Sequence, residues 1–364
     1  MTLIASISNF SYPVIIGDLL TSSSEFNKDF KLPTFLQGIE KYLPENSSSY
    51  PTKLIQKTYI IKNNLVVAIA GNYLKNKYFI ESITNFFKEK ECKESSLVEF
   101  INEYDESEFI DTAYLFLFYE KKQQGFLMNF MTTGDYWNTH KSNLFGDIYA
   151  AGSGSSDFIT ESKRYNNLIG FGEINSENRA MSASLSLISG LLATESFSLE
   201  TIKKHWGAGF ELISFNEKKQ SFYKMNELTY IIWKGRINNK TKDIDLQPFL
   251  VLGYKYFENI LQINSYNNNK YERFGVLPIN LNKDDVDINI FPEKVEFYNN
   301  LILNTFIIDL PNGETTTPSV ICSKGNSNIG AVFINMKDDG QLEVGISKTV
   351  TTELLRQINE QNNA

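Results

Sequence analysis

Thr2-Leu3-Ile4-Ala5-Ser6-Ile7 and Pro13-Val14-Ile15-Ile16-Gly17-Asp18 open the chain as two short, mostly apolar runs. The first reads as a strand and the second as its partner. Asn9-Phe10-Ser11-Tyr12 between them is short enough for an antiparallel hairpin. Such a hairpin returns Asp18 to the neighbourhood of Thr2. Removal of Met1 would leave one residue with both a hydroxyl and a free α-amino group, a nucleophile beside its own base. The plainer reading of the same stretch is an N-terminal hairpin that ends in a solvated Asp.

Residues 21–50 are polar and punctuated by Ser22-Ser23-Ser24 and Asn46-Ser47-Ser48-Ser49; Phe35, Ile39 and Leu43 predict a short helix among them. Residues 53–61 read as one strand. Lys62-Asn63-Asn64 is a turn, and residues 65–70 form a buried strand that ends at Gly71. Phe79, Ile83, Phe86 and Phe87 mark one face of a helix, and Leu97, Ile101 and Tyr104 mark a second. Strands follow at 113–119 and 126–131, with a turn at Gln123-Gln124-Gly125. A loop through His140 leads to a short strand at 147–151, then Gly152-Ser153-Gly154-Ser155-Ser156. Helices are predicted over 158–168 and 179–195, and strands over 211–215, 221–224 and 229–233. This order fits two antiparallel sheets covered by helix pairs on both sides.

After about residue 235 the texture changes. Asn238-Asn239-Lys240-Thr241 reads as a linker. Apolar runs at 249–256, 301–310 and 331–336 are separated by turn signals at Pro311-Asn312-Gly313 and Asp338-Asp339-Gly340. Ser265-Tyr266-Asn267-Asn268-Asn269 reads as a loop, and residues 352–360 as a C-terminal helix. The expected division is residues 1–236 and a β-rich domain, 237–364.

The 364 residues suggest two domains. An apolar content of 42 % and a charged content of 21 % are ordinary for a protein with a real core. A net charge of −8, without a dense basic run, argues against nucleic-acid or anionic-membrane binding. Nineteen Tyr and 27 Phe suggest a β-rich core. Cys92 and Cys322, far apart, fit a reducing compartment better than a disulfide framework, and with only His140 and His205 besides, a zinc or copper site is not expected. The N-terminus lacks a basic region and Asp18 interrupts its apolar run, so it is not read as a signal peptide. No stretch is long and apolar enough to span a bilayer as a helix, and the expected location is cytoplasmic.

Thr2, Gly17-Asp18, Lys57 with Ala70-Gly71, and Gly152-Ser153-Gly154 occur in an order and at intervals that resemble the proteasome β-subunit and HslV-like family of N-terminal nucleophile (Ntn) hydrolases. The resemblance covers residues 2–235 and nothing after. It implies an α+β fold, a four-layer αββα sandwich, to which the β-rich C-terminal domain is an addition. It implies a threonine-type peptidase, active after Met1 removal and without a cofactor. Thr2, Asp18, Lys57 and Ser153 would be the catalytic residues and the backbone N–H of Gly71 the oxyanion donor. It further implies a homo-oligomer, with a ring assembly and an ATPase unfoldase partner as expectations.

The chemistry is consistent with those residue types. A threonine hydroxyl needs a base within reach. The α-amine, with a reference pKa of about 7.7–8.0, can be one only if the residue is N-terminal. Lys57 would keep that amine neutral and stabilise the alkoxide, Asp18 would hold Lys57, and Ser153 would relay the amine's proton. The family's Asp and Ser after the second helix have no clean counterpart in Ile202-Lys203-Lys204-His205-Trp206-Gly207-Ala208-Gly209. Ser196 and Ser198 are displaced upstream, Glu195 is a loose candidate, and His205 reads as structural. Two other readings stay open: an Ntn amidohydrolase acting on a small amide, and a catalytically silent scaffold or binding module.

Overall fold

A computed structural model describes residues 2–9, 12–25, 27, 29–39, 43, 49–122, 125–134, 137–164, 177–238, 240–241, 243–281, 291, 297–298, 300–310, 313–317, 319–323, 332–337 and 341–362. The chain runs β1 (Ile4–Asn9), β2 (Tyr12–Asp18), β3 (Leu20–Ser23), β4 (Tyr50–Leu54), β5 (Thr58–Lys62), β6 (Leu65–Gly71), α1 (Tyr73–Glu89), α2 (Glu94–Glu103), β7 (Thr112–Lys122), β8 (Gly125–Gly134), β9 (Trp137–Ser142), β10 (Gly146–Ala151), α3 (Ser155–Arg164), α4 (Glu177–Ser198), α5 (Glu200–Lys203), β11 (Phe210–Asn216) and β12 (Ser221–Lys224). It continues β13 (Leu228–Ile237), β14 (Ile244–Phe257), β15 (Ile260–Asn267), β16 (Lys270–Val276), β17 (Leu301–Asp309), β18 (Thr315–Thr316), β19 (Ser319–Ser323), β20 (Val332–Met336), β21 (Leu342–Ile346) and α6 (Lys348–Asn362). The result is a mixed α/β protein made mostly of strands.

One sheet has the order β12-β11-β2-β1-β10-β9 and a second the order β5-β6-β7-β8. Alternation along the strands assigns their faces. Ile4 and Ile15 of the first sheet meet Val66, Ala68, Ala70, Leu115 and Leu117 of the second in one cluster. The opposite face of the second sheet, with Val67, Ile69, Tyr114 and Phe116, packs on Phe79, Ile83 and Phe87 of α1 and Leu97 and Phe100 of α2. Phe79 stacks on Tyr114 with ring centroids 3.8 Å apart. The opposite face of the first sheet, with Ala5, Ile7, Val14 and Ile16, packs on α3 and α4. Asn72 caps α1, its side chain accepting from the N–H of Leu74 and Lys75.

A third sheet, β16-β15-β14-β13-β17-β18 with β19 beside β17, covers the far side of α4. Its Tyr230, Ile232, Leu252 and Ile263 share a cluster with Leu185, Ile188 and Leu192 of the helix. This explains why α4 is apolar nearly all round: it is buried between two sheets. The outer face of the third sheet packs on Val350, Leu354 and Ile358 of α6.

Several local expectations are corrected. Residues 53–61 are not one strand. β4 and β5 flank a break at 55–57, where the Ile55 and Gln56 N–H donate to the carbonyls of Leu19 and Leu277. Phe35 and Ile39 lie in no helix; their spacing reflects a loop laid on the core, in which Leu32 bridges Phe35. His140 lies in β9, not a loop, and Ser265 to Asn267 lie in β15, so only Asn268 and Asn269 turn the chain, at φ of 49° and 59°. The stretch read as a linker is the turn of the β13–β14 hairpin, with Ile237 paired to Ile244, so the third sheet begins at Leu228. The predicted turns at 10–11, 123–124, 311–312 and 338–340, the Asn46-Ser47-Ser48 stretch and helix positions 165–168 lie outside the described residues. Among the described residues, no helix is long and apolar enough to cross a membrane.

Candidate active site

Thr2 stands immediately before β1 and is buried. The β1–β2 register pairs Ile4 with Gly17. That sets Asp18 opposite Leu3, with the Asp18 N–H donating to the Leu3 carbonyl at 3.0 Å. One carboxylate oxygen of Asp18, Oδ1, then accepts three donors: the Thr2 hydroxyl at 2.6 Å, the Leu3 N–H at 2.8 Å and the Lys57 ammonium at 2.6 Å. Its Oδ2 accepts the Gly207 N–H at 2.8 Å. Asp18 is fully buried, so these four bonds are what make a charge tolerable there.

Lys57 lies in the break between β4 and β5, its carbonyl still accepting the Ile69 N–H at 2.9 Å. The N–H groups of Lys57 and Thr58 donate to the buried Glu211 carboxylate at 2.7 and 3.2 Å. The Lys57 side chain, 3 % exposed, bonds Asp18 on the other side and also the Leu20 carbonyl at 2.5 Å. Burial pulls its pKa below the ordinary lysine value, while the Asp18 carboxylate and, more weakly, Glu211 oppose that pull.

Thr2, Lys57 and Gly71 line one cavity of about 410 Å³, together with Thr21, Ser22 and Tyr73. Gly71 has a φ of +101°, and a β-carbon there would sit 2.0 Å from the Asp111 carbonyl. The Asp111–Thr112 backbone thus demands the glycine. Ser153, on the turn before α3, is solvent-exposed, and its hydroxyl accepts the Thr2 N–H at 3.2 Å. Asp18 and Ser153 thus bond Thr2 directly, Lys57 shares its Asp18 oxygen, and Gly71 lines the same cavity.

The remaining candidates fall elsewhere. Ser196 and Ser198 bond carbonyls of their own helix, at Ala193 and Thr194. His205 is half-buried, its Nδ1 lies 3.3 Å from the Ser22 hydroxyl, and burial lowers its pKa. Glu195 does not touch Thr2 or Ser153. It accepts from the Thr34 hydroxyl, from Thr201 Oγ1 at 2.7 Å and from the Ala208 N–H at 3.0 Å. Glu211 and the Gly207 N–H were missed. A lone charge inside the apolar run Phe210-Glu211-Leu212-Ile213 is the signal that could have found Glu211.

Chemically, the site sets a hydroxyl and a buried ammonium on a shared carboxylate oxygen beside an open cavity. That arrangement can polarise the hydroxyl and stabilise negative charge developing on it.

No family model matches the chain, and no curated protein matches it. Among solved structures it is similar to eukaryotic HslV from Trypanosoma brucei, at 15 % identity over 58 % of this chain and 98 % of that one, with a TM-score of 0.32. A likeness of that degree says nothing of activity.

Proposed function

We propose that the chain is a threonine-type peptidase of the Ntn kind, with a four-layer αββα sandwich followed by an added β-rich part that begins with β13 at Leu228, ahead of the boundary expected at 236. The observation that supports it most is the convergence of the Thr2 hydroxyl and the Lys57 ammonium on one oxygen of a fully buried Asp18, beside a cavity. With Met1 removed, the Thr2 α-amine takes the hydroxyl proton and the alkoxide attacks an amide carbonyl. The C–N bond breaks as the amine's proton passes to the leaving nitrogen, and an ester to Thr2 remains. Water, deprotonated by the same amine, then releases the acid. Lys57 stabilises the developing alkoxide, Asp18 fixes Lys57, Gly71 donates its N–H to the oxyanion and Ser153 steadies the amine end of Thr2.

Intact mass asks first whether the mature chain begins at Thr2. A β-lactone probe should then add once per chain, map to Thr2 and fail on Thr2→Ala. A processed chain that forms no adduct and cleaves no peptide overturns the proposal. A small-amide substrate is the second reading. It is favoured by Thr21, Ser22 and Ser49, which bring both ends of the 21–50 segment to the cavity. Turnover that falls as peptide length grows would select it. A homo-oligomeric ring, an unfoldase partner and a cytoplasmic location belong to the same proposal, and native mass spectrometry tests the first.

A further inference from the structure

The loop that touches Asp18 from outside the hairpin is itself held by a buried acid. The Gly207 N–H donates to Asp18 Oδ2, and the Gly207 carbonyl accepts from the N–H groups of Leu19 and Leu20 at 3.2 and 3.1 Å. The Leu20 carbonyl in turn accepts the Lys57 ammonium. Gly207 thus braces Asp18 through the Trp206–Gly207 peptide, and the strand that carries a Lys57 acceptor through the Gly207–Ala208 peptide. Behind it lies Glu195, in the last turn of α4 and fully buried. Both its oxygens lie 3.0 Å from the Ala208 nitrogen. The fit around Gly207 is close: a β-carbon there would sit 1.9 Å from Glu195 Oε2.

We infer that Glu195 is a positioning residue: through the Ala208 N–H it holds the Gly207–Ala208 peptide, and with it the Gly207 N–H on Asp18, most firmly while it is ionised. The role in catalysis rests on the reading of Thr2 as the nucleophile. The placement of the loop does not.

The reason is a count of donors. Two hydroxyls and one N–H converge on Glu195. A carboxylate accepts all three, whereas a carboxylic acid must itself donate, so a threonine hydroxyl turns to accept and the Ala208 N–H loses the charge assistance of its bond. The groups acting electrostatically with it are Asp18 on β2, which favours its neutral form, and the Tyr254 phenol on β14, whose own ionisation it opposes. Lys57 is engaged by Asp18, and the adjacent His205 faces Ser22. Burial, against the bonds from Thr34, Thr201 and Ala208, raises the pKa of Glu195 to about 7, within the working range of the site. The Thr34 bond extends the device to the 21–50 segment, which is also held to the third sheet where the Ser265 hydroxyl donates to the Pro33 carbonyl.

The test follows the Gly207 and Ala208 amide resonances of the isotope-labelled full chain from pH 5.5 to 9. In the wild type both should titrate with one midpoint near 7. In Glu195→Gln both should stay flat. In Thr201→Val, which removes a donor to the charged form and conserves volume, the midpoint should rise. Glu195→Gln should also lower kcat about tenfold with KM unchanged and reduce the pH profile of kcat to the single inflection of the Thr2 amine. Flat amides in the wild type overturn the inference, and so does a Glu195→Gln variant whose kcat and pH profile match the parent. Amides that titrate in a chain whose Thr2 never acylates uphold the Glu195 device and sink only the hydrolase.

Discussion

Two buried carboxylates flank residues 55–58 from opposite sides, each paired with a lysine: Asp18 with Lys57 and Glu211 with Lys224. Lys57 links them, its ammonium on Asp18 and its backbone N–H on Glu211. Glu211 uses Oε2 for the backbone N–H groups of Lys57 and Thr58 at the start of the edge strand β5, and Oε1 for Lys224 and the Tyr256 hydroxyl at 2.8 and 2.9 Å. Lys224 is 19 % exposed and also donates to Gln56 Oε1 at 2.6 Å. The chemistry of the two pairs is the same, but only Asp18 shares its oxygen with an aliphatic hydroxyl facing a cavity. A buried ion pair by itself is therefore a poor mark of a reaction centre; what distinguishes Asp18 is the third donor. Glu211 acts as a substitute for strand pairing, and the break it maintains sets the Lys57 side chain toward Asp18.

The comparison can be broken most directly at Thr2. Thr2→Ala should reduce turnover by at least about a thousandfold and cost about 1.5–3 kcal/mol of stability, since Asp18 loses one of its four donors while the Asp18–Lys57 pair remains. Equal activity in the variant would place the reaction elsewhere. Next, Lys57→Met should abolish turnover and cost about 3–5 kcal/mol in denaturant unfolding, because it strands a buried carboxylate. Lys224→Met, at the more exposed pair, should cost less and leave turnover within tenfold. If both lysines prove equally essential to turnover, the distinction between the pairs fails.

Glu195 sharpens the contrast through pH. Its folded pKa of about 7 lies above the ordinary 4.5, so between those values the folded chain holds a proton that the unfolded chain has released. Stability from this group is full below about pH 4.5 and falls by roughly 3 kcal/mol as pH rises through 7. Glu195→Gln should lack that fall, which chemical unfolding at pH 5 and pH 8 would reveal. The ionised form that braces Gly207 is thus the form that costs stability. The smallest effect is expected at Tyr256→Phe: about 1 kcal/mol from the lost bond to Glu211, with no change in turnover.

Much of the N-terminal half was legible because its signals are local. Alternation in Ile4 to Ile7 and Val14 to Ile16, the glycines at 71 and 152, and the helical stripe of Phe79, Ile83 and Phe87 each follow from neighbours a few residues away. What was misread depends on distant partners. Residues 53–61 look like one strand until Glu211, 154 positions from Lys57, takes the N–H groups of Lys57 and Thr58 beside the break. Phe35 and Ile39 look helical because a loop packed on a core also places apolar residues at such intervals. The 238–241 stretch looks like a linker because a hairpin turn and a linker share polar composition.

The amino-acid order alone settled which residues could do chemistry. A threonine at position two, an acid closing the first hairpin and a lysine before a glycine-ended strand are facts of covalent sequence and short-range register. Only the folded molecule decided that the hydroxyl and ammonium meet on one oxygen, that Glu195 acts through Gly207, and that α4 is buried on both sides. Those outcomes require segments from different parts of the chain, such as Asp18 and Gly207, to exclude water together, and the strength of a charge or hydrogen bond is set by that exclusion.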